Sequence, residues 1–197
     1  MEKKLEKIKQ QVIECTKCEL SQTRNNSVAG KGNFKADVIF VGEAPGKNED
    51  LKGEPFIGIA GKKLSIALES AGITREEVYI TNIVKCRPPK NRVPTPIERE
   101  MCQNYLKKEI EIIEPKIICI LGNTAFSSLL DGKEITKFRG KVVSKNNQLY
   151  FLTVHPAATI YNQKLIDVLK KDMKKLFKVI KELKDMKKIK IDIEYTS

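Results

Sequence analysis

The sequence predicts an α/β fold, a three-layer sandwich in which a central, mostly parallel four-stranded sheet is flanked by helices. Three observations carry that expectation. Four short apolar runs rich in β-branched residues (Asp37–Gly42, Val78–Thr81, Ile117–Gly122 and Leu149–Val154) read as strands buried on both faces. Segments of helical periodicity separate them, which favours parallel strands with helices packed on either side. Neither an internal repeat nor a linker divides the 197 residues, so residues 1–197 are expected to form a single domain.

Taken in order, Glu2 to Glu14 places Leu5, Ile8 and Val12 at helical spacing. Cys15-x2-Cys18 follows, and a Gly/Asn-rich loop runs to Asn33. The first strand ends at a turn signal, Ala44-Pro45-Gly46. Gly61 to Ala71 reads as a helix with Leu64, Ala67, Leu68 and Ala71 on one face and Gly72 as its stop. After the second strand, Pro88-Pro89 through Pro94 and Pro96 dictate a loop, since proline continues neither a helix interior nor a central strand. Thr95-Pro96-Ile97-Glu98 then opens a helix with a threonine cap, proline in the first helical position and an early glutamate. It is expected to reach Ile113, just before Pro115. A short helix, Asn123 to Leu130, follows the third strand. Val142-Val143 and the fourth strand flank an Asn146-Asn147 turn and predict a hairpin. The last long helix carries Leu165, Val168, Leu169, Leu176, Phe177, Ile180 and Leu183 as its apolar stripe. Beyond it, Ile189 to Glu194 alternates like a strand.

Hydrophobic residues make up 41% and charged residues 31%, a globular rather than disordered balance. No window approaches the roughly 18 consecutive apolar residues of a membrane helix, and the charged start Met1-Glu2-Lys3-Lys4-Leu5-Glu6 lacks the apolar centre of a secretory signal. A cytosolic protein with no membrane partner is the expectation. The lysine- and isoleucine-rich composition suits a thermophilic microbe, and hence a prokaryotic setting. The formal charge is +12, from 37 Lys and Arg against 25 Asp and Glu. Such an excess favours a polyanionic partner, nucleic acid first. Between Gln163 and Lys190, eleven lysines against four acids supply +7 of it, and those lysines also fit the solvated face of a helix.

In parallel α/β sheets, ligands bind beyond the carboxyl ends of the strands. Glu43 to Asp50 follow the first strand, Asn82 the second, and His155-Pro156-Ala157-Ala158 the fourth. Carboxylates, an amide and the chain's one histidine therefore converge on one edge. Each has a plainer alternative: a solvated acid for Glu49, a turn or cap for Asn82, core packing for Phe56, packing against Pro156 for His155. Of five cysteines, Cys119 lies among isoleucines in a strand and reads as core. Cys15 and Cys18 supply half of a four-thiolate site, and Cys86 and Cys102 are available to complete one, with zinc and an iron–sulfur cluster both open. Lys85, Arg87, Lys90 and Arg92 surround the proline loop as candidate phosphate contacts, or as ordinary surface charge.

Several motifs occur together: Cys15-x2-Cys18 with Thr23-Arg24; Gly42-Glu43-Ala44-Pro45-Gly46; Pro55-Phe56-Ile57-Gly58-x-Ala60-Gly61; Asn82-Ile83-Val84-Lys85-Cys86-Arg87-Pro88-Pro89; Leu121-Gly122; Arg139-Gly140; and His155-Pro156-Ala157-Ala158. In this order they resemble family 4 uracil-DNA glycosylases, over about residues 15 to 176. Family 1 enzymes instead carry Gly-Gln-Asp-Pro-Tyr-His, where this chain has Ala44 and Gly46 at the aspartate and tyrosine positions. Family 5 relatives lack the glutamate present here as Glu43.

The resemblance implies a uracil-DNA glycosylase-like fold and hydrolysis of the N-glycosidic bond of uracil in DNA, single- or double-stranded, initiating base excision repair by a monomer. It implies a 4Fe–4S cluster on Cys15, Cys18, Cys86 and Cys102, with Cys119 outside the pattern. By the same resemblance His155 donates a hydrogen bond to uracil O2, Asn82 reads the base edge and Phe56 stacks on the flipped base. Glu43 and Glu49 position water and shape the pocket, while Gly42 and Gly46 permit close backbone approach. A non-catalytic uracil sensor would share the pocket without turnover. A thiolate-cluster redox protein would leave Asn82, Phe56 and His155 without a role.

Overall fold

A computed structural model describes residues 1–186 and 189–195. Nine α-helices and seven strands alternate among them: α1 Glu2–Ile13, α2 Leu20–Thr23, β1 Lys31–Gly32, β2 Val38–Gly42, α3 Lys47–Lys52, α4 Ile59–Glu69, β3 Tyr79–Asn82, α5 Pro96–Ile113, β4 Ile117–Leu121, α6 Asn123–Leu130, α7 Ile135–Phe138, β5 Val142–Lys145, β6 Gln148–Thr153, α8 Ala158–Tyr161, α9 Leu165–Lys184 and β7 Ile193–Tyr195. The strands form one sheet in the order β1-β3-β2-β4-β6-β5-β7.

The four expected strands are β2, β3, β4 and β6, paired in parallel at the centre of the sheet. The expectation of a four-stranded, mostly parallel sheet is corrected at the edges: the sheet is mixed and has seven strands. β1 adds antiparallel to β3, β5 antiparallel to β6, and β7 parallel to β5. β1 is two residues long, too short to show a period-2 pattern. β5 is the predicted hairpin arm, joined to β6 through Asn146 and Asn147, both at positive φ as a two-residue hairpin turn demands. Of the alternating tail Ile189 to Glu194, only Ile193 and Glu194 are strand, as part of β7.

Strand alternation divides the interior into two cores. Ile39, Val41, Ile118 and Ile120 face α1, α5 and α6 through Val12, Leu106, Ile113 and Phe126. Val38, Phe40, Ile117 and Cys119 face α4 and α9 through Leu64, Leu68, Met173 and Leu176. Cys119 is fully enclosed there, as its neighbours predict. α5 starts as its sequence indicates: Thr95 Oγ1 accepts from the Glu98 N–H at 3.2 Å, Glu98 returns the bond to the Thr95 N–H at 2.8 Å, and Pro96 occupies the first turn. α9 buries Leu169, Met173, Leu176 and Ile180, with Phe177 and Leu183 packed at the margin. Of its basic residues, Lys175 donates to the Gly140 carbonyl and Lys184 pairs with Asp37. Lys187 and Lys188, counted in that basic run, lie outside the described residues. No helix among the described residues is long and apolar enough to cross a membrane.

Candidate active site and cysteine cavity

β2 lies between β3 and β4, and the chain leaves it for α4 on one face of the sheet and leaves β3 for α5 on the other. The order therefore reverses beside the carboxyl end of β2, where open α/β sheets leave a crevice. A cleft of about 660 Å³ lies there, lined by Glu43, Gly46, Glu49, Phe56, Asn82 and His155 among others. Gly42 ends β2 beneath it. The residues singled out at three strand ends and at Phe56 thus meet in one place.

The floor is backbone. A methyl placed on Gly42 would lie 2.5 Å from Phe56 Cζ and 2.6 Å from Asn82 Oδ1, so only glycine lets these two side chains close over β2. Phe56 is buried and has a φ of 52°, a left-handed conformation costly for an aromatic residue. Its carbonyl is clasped by α4, where a Cβ at Gly61 would fall 1.7 Å from the Phe56 oxygen. Asn82 is 2% exposed, and its Oδ1 has no hydrogen-bond partner among the described residues. A buried amide oxygen left without a donor costs about 1–3 kcal/mol until something supplies one.

His155 follows β6 and stands half-buried with its ring 5.7 Å from that of Phe56, tilted by 35°. The Ala157 N–H donates to His155 Nδ1 at 3.1 Å. Nδ1 is therefore the acceptor, and the proton of the neutral ring sits on Nε2. Burial pushes the imidazole pKa down to about 4, so the ring is neutral near pH 7. Gly122, at φ 88°, makes room for it, since a Cβ there would lie 2.8 Å from His155 Cβ.

The two carboxylates differ. Glu43 is half-exposed and accepts a hydrogen bond from Thr124 Oγ1 in the first turn of α6. Glu49 is buried and accepts from the Gly58 N–H at 2.7 Å, at the start of α4. The charged run Lys47-Asn48-Glu49-Asp50 is α3, not a solvated loop. Asp50 was not singled out, yet it is 1% exposed and binds both the N–H and the side chain of Asn25, at 2.9 and 2.5 Å.

Residues 29–184 match the family model described as the Uracil DNA glycosylase superfamily. The chain belongs to this superfamily. It is 48% identical over 182 residues to a type-4 uracil-DNA glycosylase of Sulfurisphaera tokodaii, covering 87% of this chain and 83% of the relative. It is 44% identical over 181 residues to the type-4 enzyme of Archaeoglobus fulgidus, covering 87% and 91% of the two chains. For the type-4 enzyme of Thermotoga maritima the values are 45% over 165 residues, with 82% and 86% covered. These relatives place the chain in the type-4 branch of the uracil-DNA glycosylase superfamily.

In this uracil-DNA glycosylase superfamily member, the predicted cysteines also meet. Cys15, Cys18, Cys86 and Cys102 line a second cavity, closed by Val12, Leu20, Val84, Met101 and Tyr105. Arg24 Nη1 donates to Cys86 Sγ at 2.9 Å, and the Lys85 N–H donates to Cys102 Sγ at 3.2 Å. Burial pushes the Cys102 thiol up to about 12 and raises that of Cys86, so thiolates here require a strongly cationic occupant. Four sulfurs thus line one apolar cavity with N–H donors aimed at two of them, while among the described residues no three His, Cys, Asp or Glu side chains are grouped as ligands of a single metal ion.

The basic residues of the loop separate into two kinds, and Lys85 is a correction. It is 1% exposed, and its ammonium meets Glu109 Oε2 at 2.7 Å inside the protein, so it does not reach a phosphate. Its position three residues past a strand end turns it back under β3. Arg87 donates to Asn91 Oδ1 at 2.8 Å, Lys90 is exposed, and Arg92 forks onto Glu98 at 2.8 and 2.6 Å. Gly122 and Arg139 belong to motifs to which the sequence assigns no role, and Thr124 and Asp172 carry no signal there of a place in the site. Asp172 is buried on α9, accepts from Arg139 at 2.7 and 3.1 Å, and accepts from Thr153 Oγ1 at 2.7 Å, two residues before His155.

Proposed function

We propose that this chain hydrolyses the N-glycosidic bond of uracil in DNA, leaving an abasic site for base excision repair. The observation that carries the proposal is the unpartnered Asn82 Oδ1, buried in the cleft that also holds Phe56 and the neutral His155. A uracil flipped out of the stack enters this cleft, an extrusion that costs a few kcal/mol and is cheapest in single strands or at mismatches. Asn82 Oδ1 accepts from uracil N3–H while its amide N–H donates to O4; cytosine presents the reverse pattern and is refused. Phe56 stacks on the base.

As the glycosidic bond breaks, negative charge gathers on the uracil oxygens. His155 Nε2–H donates to O2 and stabilises that charge without giving up its proton. Glu43, with one oxygen held by Thr124, positions the water that attacks the sugar carbon. Glu49 fixes the start of α4 through Gly58 and so shapes the wall beside Gly46. Arg87 and Lys90 contact phosphates of single- or double-stranded DNA. Cys15, Cys18, Cys86 and Cys102 would hold a 4Fe–4S cluster. When bound, the cluster supplies a cross-link between the start of the chain, the proline loop and α5.

The test uses labelled oligonucleotides with one uracil paired with G, paired with A, or unpaired, and a T·G duplex as control. Alkali-labile sites at uracil alone, lost in His155→Ala, are the expected result. Uracil-specific binding without cleavage would overturn it in favour of a sensor.

A further inference from the structure

We infer that Lys85 is a positioning residue for the uracil-reading amide of Asn82, and that with Glu109 it ties that amide to the cysteine cavity. The inference rests on the reading of Asn82 given above. Lys85 Nζ donates to Thr81 Oγ1 at 2.5 Å, to the Asn82 carbonyl at 3.0 Å and to Glu109 Oε2 at 2.7 Å, which uses all three of its protons. Asn82 closes β3, where the ladder ends. Its side-chain oxygen has no donor among the described residues, so the aim of the amide is set by its own backbone and by packing against Gly42 and Phe56. The group that holds its carbonyl therefore holds its aim.

The other half of the pair reaches the metal site. Glu109 accepts from Lys85, from Thr81 Oγ1 at 2.8 Å and from the Gly30 N–H at 2.9 Å. It sits two turns after Cys102 on the same face of α5. Lys85 itself precedes Cys86 and donates its N–H to Cys102. One enclosed ammonium and one enclosed carboxylate, each 1% exposed, thus join the strand that carries the base reader to two of the four cysteines. A buried ion pair is weak evidence for stability, because apolar replacements are often tolerated. Fixing one register is its better-attested use, and here the register fixed is that of Asn82.

The test is a double-mutant cycle on the iron-loaded protein, read by inhibition with free uracil, by iron per chain and by Tm. Lys85→Met alone strands a buried carboxylate, so the main variant is Lys85→Met/Glu109→Leu, which removes both charges. It is expected to keep its iron and Tm, to weaken uracil inhibition about tenfold, and to add nothing once Asn82→Ala is present. Unchanged inhibition, or an equal loss with and without Asn82, would overturn the inference. Loss of iron with loss of folding would overturn it too, by making the pair a stability element. If Asn82→Ala alone leaves uracil inhibition unchanged, the base-reading role of Asn82 fails first, a result distinct from the others.

Discussion

The Ala157 N–H points at His155 Nδ1 from 3.1 Å, and this one backbone contact decides which nitrogen faces the cleft with a proton. An imidazole that accepts at Nδ1 is neutral and carries its one ring proton on Nε2, whereas the protonated ring would turn an N–H towards the Ala157 N–H and lose that contact. Burial, by pushing its pKa to about 4, keeps it neutral.

The pH dependence follows. Because the folded pKa lies below the unfolded value of about 6.5, the stability linked to His155 is complete above pH 6.5 and is lost as pH falls towards 4. The single-turnover excision rate should be level from pH 8 to about 6 and should drop only as pH approaches 4. An inflection of that rate near pH 6.5 would contradict this.

Gly42→Ala should damage the site more than the fold. The added methyl meets Phe56 at 2.5 Å and Asn82 Oδ1 at 2.6 Å, so both must withdraw from the cleft. A loss of roughly 100-fold in kcat/KM is expected, about 2.7 kcal/mol of transition-state binding, against a Tm decrease of only a few degrees. Steady-state kinetics and calorimetry on the same preparation give both values.

Asp172→Ala tests the brace behind His155. It strips the partner from Arg139 and from buried Thr153 Oγ1 at once. Breaking a largely buried charge pair of this kind costs roughly 3 kcal/mol, and denaturant unfolding should show it. Asp172→Asn, which can still accept from Thr153, should lose about half as much.

Cys86→Ser should remove the brown colour of the holoprotein and lower its Tm together, since the loop from Pro88 to Pro96 and α5 would lose their shared anchor. A colourless variant with an unchanged Tm would mean that the centre does not brace this region. Iron analysis and thermal unfolding settle it.

The central strands are legible because each is apolar on both faces, as Val38–Gly42 and Ile117–Leu121 are. β1 is too brief to leave a pattern, and the alternating tail that contains the start of β7 shows no partner, since the pairing of both strands depends on neighbours distant in sequence. The site was legible through topology, since Asn82 and His155 sit just where parallel strands end. Lys85 was not, because as a basic residue it reads like its neighbours, the half-buried Arg87 and the exposed Lys90. The overlooked signal lay on its partner: Glu109 interrupts the stripe of Tyr105, Leu106 and Ile113 on α5. Asp172 likewise interrupts Leu169, Met173 and Leu176 on α9. An acid inside an apolar stripe needs a cation from elsewhere in the fold, and Lys85 and Arg139 are those cations.

Gly42, Gly46 and Gly122 each leave no room for a Cβ, the nearest side-chain atom lying 2.5, 2.8 and 2.8 Å from where it would stand. Much of the cleft is thus dimensioned by main chain. Main chain has no rotamers to populate on heating, so the width of the cleft varies little until the sheet itself melts. On heating, the shape of the floor should therefore be lost together with the sheet and not ahead of it.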